Sequence, residues 1–254
     1  MKIFVINLKE SFKRRELMER QLKTLGLDYE FIEGINGHEL SSQDQKRLCN
    51  TDSIQANPEW LSPGAIGAAL SHRLVWSRIA SEDHKCAVVL EDDVLLPDLL
   101  PTILRQIEKI YEVDELILLY WSSNIVQPFV RQSAVEIDGG GVLALTQQPN
   151  SLLSAVMYVI SSDVAARMVL LNSPIKVTAD HWMTHHQGQA FHQIRCLVPS
   201  PVNLANYPSD IRYGRQHLLR RFKRYLESKV WLIHQLSVKR RQRYFAKRQN
   251  HTWV

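Results

Sequence analysis

Five uncharged residues, Cys86-Ala-Val-Val-Leu90, run without a spacer into Glu91-Asp92-Asp93. An apolar run of this length reads as a strand buried on both faces, the kind found inside a parallel sheet. Its acidic end must lie where the strand leaves the core, and in open α/β sheets ligands bind outside the carboxyl ends of strands. Three adjacent acids repel one another. A hard divalent cation that bridges them to substrate phosphates accounts for the cluster. The competing reading is a solvated loop whose acids cap the next helix. In an extended chain alternate residues share a side, so Glu91 and Asp93 are expected to converge while Asp92 faces away.

Other segments fit the same architecture. The opening Met1-Lys-Ile-Phe-Val-Ile-Asn-Leu8 is a short apolar run followed by charge, which reads as a buried strand rather than a secretory segment. Leu17, Leu22 and Leu25 recur at helical spacing, and Gly26 is the stop. Ser62-Pro63-Gly64 opens a helix rich in small residues. Strands are expected at Tyr29–Ile32, Leu116–Tyr120, Ser154–Ile160 and Ile194–Val198, with helices over Leu99–Ile110 and Ser162–Leu171. Strands alternating with helices predict an α/β fold with a mostly parallel sheet. Gly139-Gly-Gly141 lacks the spacing of a dinucleotide fingerprint. Cys49, Cys86 and Cys196 have no metal-ribbon or paired spacing, which fits a reducing compartment. No apolar run is long enough to span a membrane.

Charge divides the chain. Residues 212–254 hold 13 Lys and Arg against one acid, Glu227, a net +12. The total of 31 basic and 26 acidic residues leaves 18 and 25 for residues 1–211, a net −7. Two units are therefore expected, an acidic body over 1–211 and a basic extension over 212–254. In the extension Leu218, Phe222, Leu226, Val230, Ile233 and Leu236 recur every three or four residues between clusters such as Arg220-Arg221 and Lys239-Arg240-Arg241. That pattern is a basic amphipathic helix suited to an anionic membrane surface through 212–248. Packing of the apolar stripe on protein is the alternative. Nucleic acid is not expected as a partner of a chain whose body is acidic.

Several segments in order carry a family resemblance. They are Phe4-Val-Ile-Asn-Leu8 with Arg14 and Arg15, Ile35-Asn-Gly37, and Gly64-Ala-Ile-Gly-Ala-Ala-Leu-Ser-His72 with Trp76. Val89-Leu-Glu-Asp-Asp-Val94, Tyr158-Val-Ile-Ser161 and, more loosely, Val177-Thr-Ala-Asp180 follow. Through them the chain resembles glycosyltransferase family 25, the lipopolysaccharide and collagen galactosyltransferase-like family. Ala68 stands where that family commonly has cysteine. The resemblance implies a GT-A type, Rossmann-like mixed and mostly parallel sheet flanked by helices. It implies inverting, metal-dependent transfer of a sugar, most often galactose, from a UDP-sugar to a lipopolysaccharide- or lipooligosaccharide-type acceptor. Glu91-Asp92-Asp93 would stand in for the Asp-x-Asp-like motif, with Glu91 and Asp93 on Mn²⁺ or Mg²⁺.

On this reading Asn7 and Leu8 line the base pocket and Arg14 or Arg15 pairs with phosphate. Asn36, Gly37, Ser71, His72, Glu91 and Asp92 complete the donor site. For each arginine an exposed helix start is the alternative, and for His72 a packed histidine bonded to a carbonyl. An inverting transfer needs a base for the acceptor hydroxyl. Asp180 is the candidate, with Trp182 available to stack on a sugar. Helix capping and metal ligation are the other roles open to Asp180. His181, His185 and His186 lack a metalloprotease pattern and read as structural. The expected location is the bacterial cytoplasm, at the inner face of the membrane. A non-catalytic, membrane-docked binding protein that keeps the fold is the rival function.

Overall fold

The computed structural model describes residues 1–205 and 247–254. In chain order the first half comprises β1 (Ile3–Leu8), α1 (Phe12–Thr24), β2 (Tyr29–Gly34), α2 (Ser42–Leu48), α3 (Thr51–Ala56), α4 (Pro63–Ala80), β3 (Ala87–Glu91) and β4 (Val94–Leu95). Next come α5 (Leu100–Ile110), β5 (Glu115–Leu118), β6 (Ser122–Ser123), β7 (Gln127–Phe129), β8 (Val135–Ile137), β9 (Gly141–Leu145) and β10 (Leu152–Leu153). The chain continues through β11 (Met157–Ile160), α6 (Ser162–Leu171), α7 (Trp182–Gln187), β12 (Gln193–Val198), β13 (Asn203–Leu204) and β14 (His251–Trp253).

Eight strands form one sheet in the order β2-β1-β3-β11-β5-β12-β9-β8. β1 lies parallel to both β2 and β3, and β5 parallel to β12, while β11 and β9 run against their neighbours. The mixed, mostly parallel, helix-flanked sheet expected from the sequence is present.

Strand alternation sends side chains to two cores. Phe4, Val89 and Tyr158 face the layer that contains Val75, Trp76 and Ile79 of α4 and Val164 and Met168 of α6. Ile3, Val5, Val88, Leu90 and Met157 face Met18 and Leu22 of α1 and Ile103, Leu104 and Ile107 of α5. By the same alternation Glu91, one residue past Leu90, returns to the α4 side. The helices begin and end where local chemistry dictates. The Ser62 hydroxyl accepts from the Ala65 N–H, Pro63 occupies the first turn of α4, and Gly26 takes the left-handed conformation (φ +62°) just after α1.

One buried ion pair ties the sheet together. Arg195 on β12 donates from Nε to Glu115 Oε2 on β5 (2.6 Å) and from a terminal nitrogen to Oε1 (2.5 Å). Glu115 is 0% and Arg195 4% exposed.

The amphipathic-helix reading of 212–248 falls, up to residue 246, outside the described residues. The last residues do pack on the body. β14 lies parallel to β7, Trp253 meets Phe129, and the Arg131 guanidinium sits 5.9 Å from the Trp253 ring centre. Among the described residues no helix is long and apolar enough to cross a membrane.

Candidate functional site

The parallel strands β1, β2 and β3 end together at Leu8, Gly34 and Glu91, facing the first turns of α4. A cavity opens there. Its walls include Ile6, Leu8 and Arg14 on one side, Ile35, Asn36, Gly37 and His38 on another, and Gly64, Ala68, Ser71 and His72 of α4. Glu91, Asp92 and Asp93 close it.

Close backbone approach shapes the α4 wall. A Cβ on Gly67 would lie 2.5 Å from Gly37 N and Ile35 O, and one on Gly37 would lie 1.7 Å from Pro63 O. Ser71 locks the same contact, because its hydroxyl accepts from the Ile35 N–H (2.7 Å) and donates to the Gly67 C=O (2.7 Å). Ser71 therefore fixes the Ile35–Gly37 loop. Elsewhere in a helix Gly→Ala gains up to ~1 kcal/mol. Here Gly67→Ala should cost about 1–3 kcal/mol through overpacking and lower the melting temperature by roughly 2–4 °C per kcal/mol, which a thermal melt reads directly.

The acidic end of β3 departs from the extended chain that the sequence suggested. Residues 92 and 93 form a turn before β4, and all three acids line the cavity. Asp92 does not face away. Its Oδ2 accepts from the Asn7 side-chain amide (2.6 Å), and its Oδ1 pairs with Arg14 (3.1 Å). The Asn7 amide also donates to the Ser11 C=O (3.2 Å), and Arg14 donates to the Ser11 hydroxyl (2.6 Å). Asp92 thus joins the end of β1 and the start of α1 to the end of β3, with its charge met by Arg14. Arg15 lies elsewhere, its guanidinium 4.1 Å from the Phe31 ring centre, and is not part of the cavity wall.

Asp93 is in a different situation. Its Oδ1 is buried and has no hydrogen-bond partner among the described residues. Burial, then the Glu91 and Asp92 charges, push its carboxyl up to about 7, with Arg14 acting in the opposite sense. A buried carboxylate oxygen with no donor costs on the order of 1–3 kcal/mol or more. Glu91 is half-buried, and its Oε1 faces His72 Nε2 at 3.4 Å.

Among the described residues no three His, Cys, Asp or Glu side chains form a ready-made metal cage. Mg²⁺ and Mn²⁺ at phosphate-transfer sites are commonly held by one or two carboxylates, with substrate phosphates supplying other ligands. Glu91 and the orphaned Asp93 oxygen fit that donor set.

Asp180 is outside the cavity wall, but its attachment leads back to it. Its Oδ2 accepts from the Ser154 N–H (3.1 Å), and two residues on, the Val156 C=O accepts from the Glu91 N–H (2.9 Å). The α7 N-cap position is His181, with no side-chain cap, so Asp180 does not cap that helix. Trp182, expected on a sugar face, is fully buried against Tyr158 and donates to the Ser154 C=O (3.2 Å). Packing of α7 against the core draws it inward. His185 is buried beside Trp76 and Trp182, neither ring nitrogen has a hydrogen-bond partner among the described residues, and burial lowers its imidazole to about 3. His186 bonds to the His192 carbonyl. Asn36, half-buried in the cavity wall, donates from its amide to Glu10 and Glu39.

His38 lines the cavity and has no motif to mark it, so the sequence reading missed it. Ile35, in the wall, and Tyr158, bonded to His72, stand in the family-like segments but carried no assigned role. Trp76, four residues from His72 on α4, shares its helix face, a spacing that could have linked the two.

Residues 1–183 match the model of the family described as glycosyltransferase family 25 (LPS biosynthesis protein). Procollagen galactosyltransferase 1-A of Xenopus laevis is 31% identical over 100 residues, which cover 36% of this chain and 16% of that protein. A Drosophila melanogaster protein named glycosyltransferase 25 family member is 34% identical over 101 residues, covering 37% and 16%. Human procollagen galactosyltransferase 2 is 32% identical over 100 residues, covering 36% and 15%. The chain therefore spans about a sixth of the length of the relatives it matches.

Proposed function

The chain belongs to glycosyltransferase family 25, and from that premise we propose that it is an inverting, metal-dependent enzyme that moves a sugar, galactose in this reading, from a UDP-sugar to a lipopolysaccharide- or lipooligosaccharide-type acceptor. The observation that carries the reading is the pairing of Glu91 with the buried, unbonded Asp93 oxygen in a cavity at the carboxyl ends of parallel strands. Such an oxygen is stabilised by a ligand that brings positive charge.

Glu91 and Asp93 would hold Mn²⁺ or Mg²⁺. The cation, when bound, neutralises charge that develops on the departing diphosphate. Arg14 is fixed at the cavity wall by Asp92 and Ser11, so its guanidinium is already oriented beside the acids before a phosphate arrives. Leu8 and Ile6 offer an apolar wall to the base, and the Ile35–Gly37 loop, braced by Ser71, closes the opposite side.

On the acceptor side Asp180 takes the hydroxyl proton as the new glycosidic bond forms. The Ser154 N–H holds one of its oxygens and leaves the other for the acceptor. Asp180→Asn keeps the size of the side chain and removes the basicity. Transfer is expected to fall by about 10²–10⁴-fold while UDP affinity is unchanged. Transfer at the wild-type rate would remove Asp180 from this role.

The basic run over 212–248 supports docking on an anionic membrane surface at the cytoplasmic face of a bacterial envelope, where a lipid-linked acceptor would be met. Neutralising Lys239, Arg240, Arg241 and Arg243 to glutamine should abolish flotation with phosphatidylglycerol vesicles at low salt, since each surface-bound cation contributes ~1 kcal/mol. Flotation equal to the unmodified protein would refute the tether. The reaction itself is tested by offering a panel of UDP-sugars with Mn²⁺ and a lipooligosaccharide acceptor, then weighing the product by mass spectrometry. A mass gain of one hexose from UDP-galactose is expected. No gain from any donor would favour a binding protein that keeps the fold.

A further inference from the structure

A hydrogen-bonded chain runs from the core to the cavity wall. The Trp76 indole N–H donates to the Tyr158 hydroxyl oxygen (2.7 Å), that hydroxyl lies 2.9 Å from His72 Nδ1, and His72 Nε2 lies 3.4 Å from Glu91 Oε1. Trp76 and Tyr158 are 0% exposed and His72 is 1% exposed. The rings pack as well as bond, with His72 stacked on Tyr158 at 5.8 Å between centres.

The direction of this chain follows from donor and acceptor inventory. An indole N–H can only donate, so the Tyr158 oxygen is an acceptor toward Trp76. If Nδ1 also donated to that oxygen, the Tyr158 hydroxyl proton would be left buried without an acceptor. A group in that state costs on the order of 1–3 kcal/mol. The arrangement that satisfies every group has Tyr158 donating to an unprotonated Nδ1. The ring proton then sits on Nε2 and points at Glu91, whose carboxylate can only accept.

We propose that Tyr158, its hydroxyl oriented by Trp76, is a positioning residue for the donor site, setting the Nε2–H tautomer of His72 so that it orients the Glu91 carboxylate. The proposal rests on the donor-site reading for its effect on catalysis, whereas the tautomer belongs to the protein without any ligand. Outer-shell partners of this kind fix first-contact carboxylates, and their loss costs about 10- to 100-fold in metal affinity or activity. The Trp76–His72 spacing places both on one face of α4, and Tyr158 reaches them because β11 lies beside β3 in the sheet.

Long-range ¹H–¹⁵N spectra of the full-length, ligand-free protein at neutral pH test this. The signal of His72 among the 10 histidines is identified by its loss in His72→Gln. A pyrrole-type Nε2 and a pyridine-type Nδ1 are expected in the unmodified protein, and Tyr158→Phe should redistribute the proton between the two nitrogens. Trp76→Phe removes the donor that orients the Tyr158 hydroxyl but leaves that hydroxyl able to donate to Nδ1, so this variant should keep the Nε2–H signature. In Tyr158→Phe the Kd for UDP with Mn²⁺ should weaken about 10- to 100-fold. A proton on Nδ1 in the unmodified protein would overturn the proposal, as would a Tyr158→Phe variant that keeps the Nε2–H signature unchanged. Failure of the unmodified protein to bind UDP, with the Nε2–H signature present, would instead count against the donor-site reading alone.

Discussion

Asp93→Asn is expected to make the protein more stable and less active at the same time. The carboxyl is raised to about 7, above its ordinary 3.8, by burial first and then by Glu91 and Asp92. The sign follows from linkage. Between the unfolded and folded values the folded state binds more protons, so the protonated acid's contribution is complete below about pH 4. It is lost as pH rises through about 7, with a slope of up to ~1.4 kcal/mol per pH unit. Asparagine carries no charge at any pH and removes that loss. In buffer free of divalent cations the variant should therefore melt several degrees higher than the unmodified protein at pH 8 and close to it at pH 4. Transfer should fall by about 10²–10³-fold, the usual cost of removing one group that stabilises transition-state charge. Melting curves at the two pH values and a transfer assay check both halves. A variant that is less stable at pH 8 would contradict the view of Asp93 as a strained, ligand-seeking carboxylate. Sites kept at a cost to the fold in this way are expected where function competes with stability.

Arg195→Leu should produce the largest loss of stability. The substitution leaves Glu115 in the core with no cation, and breaking a buried pair from one side costs about 3–5 kcal/mol. For a protein of this size that is a fall of roughly 10 °C in melting temperature. Glu115 keeps the Glu112 N–H at 2.7 Å and the Gln193 side-chain amide at 3.5 Å as donors, which moderate the penalty without balancing the charge. The double variant Glu115→Leu/Arg195→Leu should recover most of the loss, because the pair's Coulombic gain is largely spent on desolvation. Denaturant titration of the two variants decides the matter, and a double variant no better than the single would place the stabilisation in the pair itself. Because β5 and β12 lie toward the middle of the sheet, away from the cavity, UDP affinity should follow folding and not change on its own.

The parts of this fold visible in the sequence are those where one strong local signal decides. The apolar run into Glu91, the Ser62-Pro63 helix start and the Gly26 stop each lie at the predicted place, because burial, capping and left-handed φ act within a few residues. The strands between residues 122 and 153 were not legible beforehand. Several are only two or three residues long, too short to show alternation, and their pairing is set by distant partners. The antiparallel placement of β11 between β3 and β5 has no local signal either.

At the candidate site, residue types pointed to the strand ends where the cavity lies but not to where each side chain is placed. The turn at 92–93 reversed the expected direction of Asp92, and the amide of Asn7, 85 positions away, took it as a partner. Arg14 and Arg15 look equivalent in sequence, yet helix geometry turns one to the cavity and the other to Phe31. Ser71 belongs to the motif and spends its hydroxyl on bracing a loop. Trp182 looked like a surface aromatic because its neighbours are polar, whereas its own ring fills the core beside Tyr158.

Calorimetric binding of UDP with and without Mn²⁺, in the unmodified protein and in Glu91→Ala and Asp93→Ala, tests the central assignment most directly. The unmodified protein should bind UDP at least tenfold more tightly with Mn²⁺ than in the presence of a chelator, and each variant should lose that increment. Equal affinity with and without the cation in the unmodified protein, or an increment that survives both substitutions, would contradict the assignment of Glu91 and Asp93 to a metal-assisted donor site.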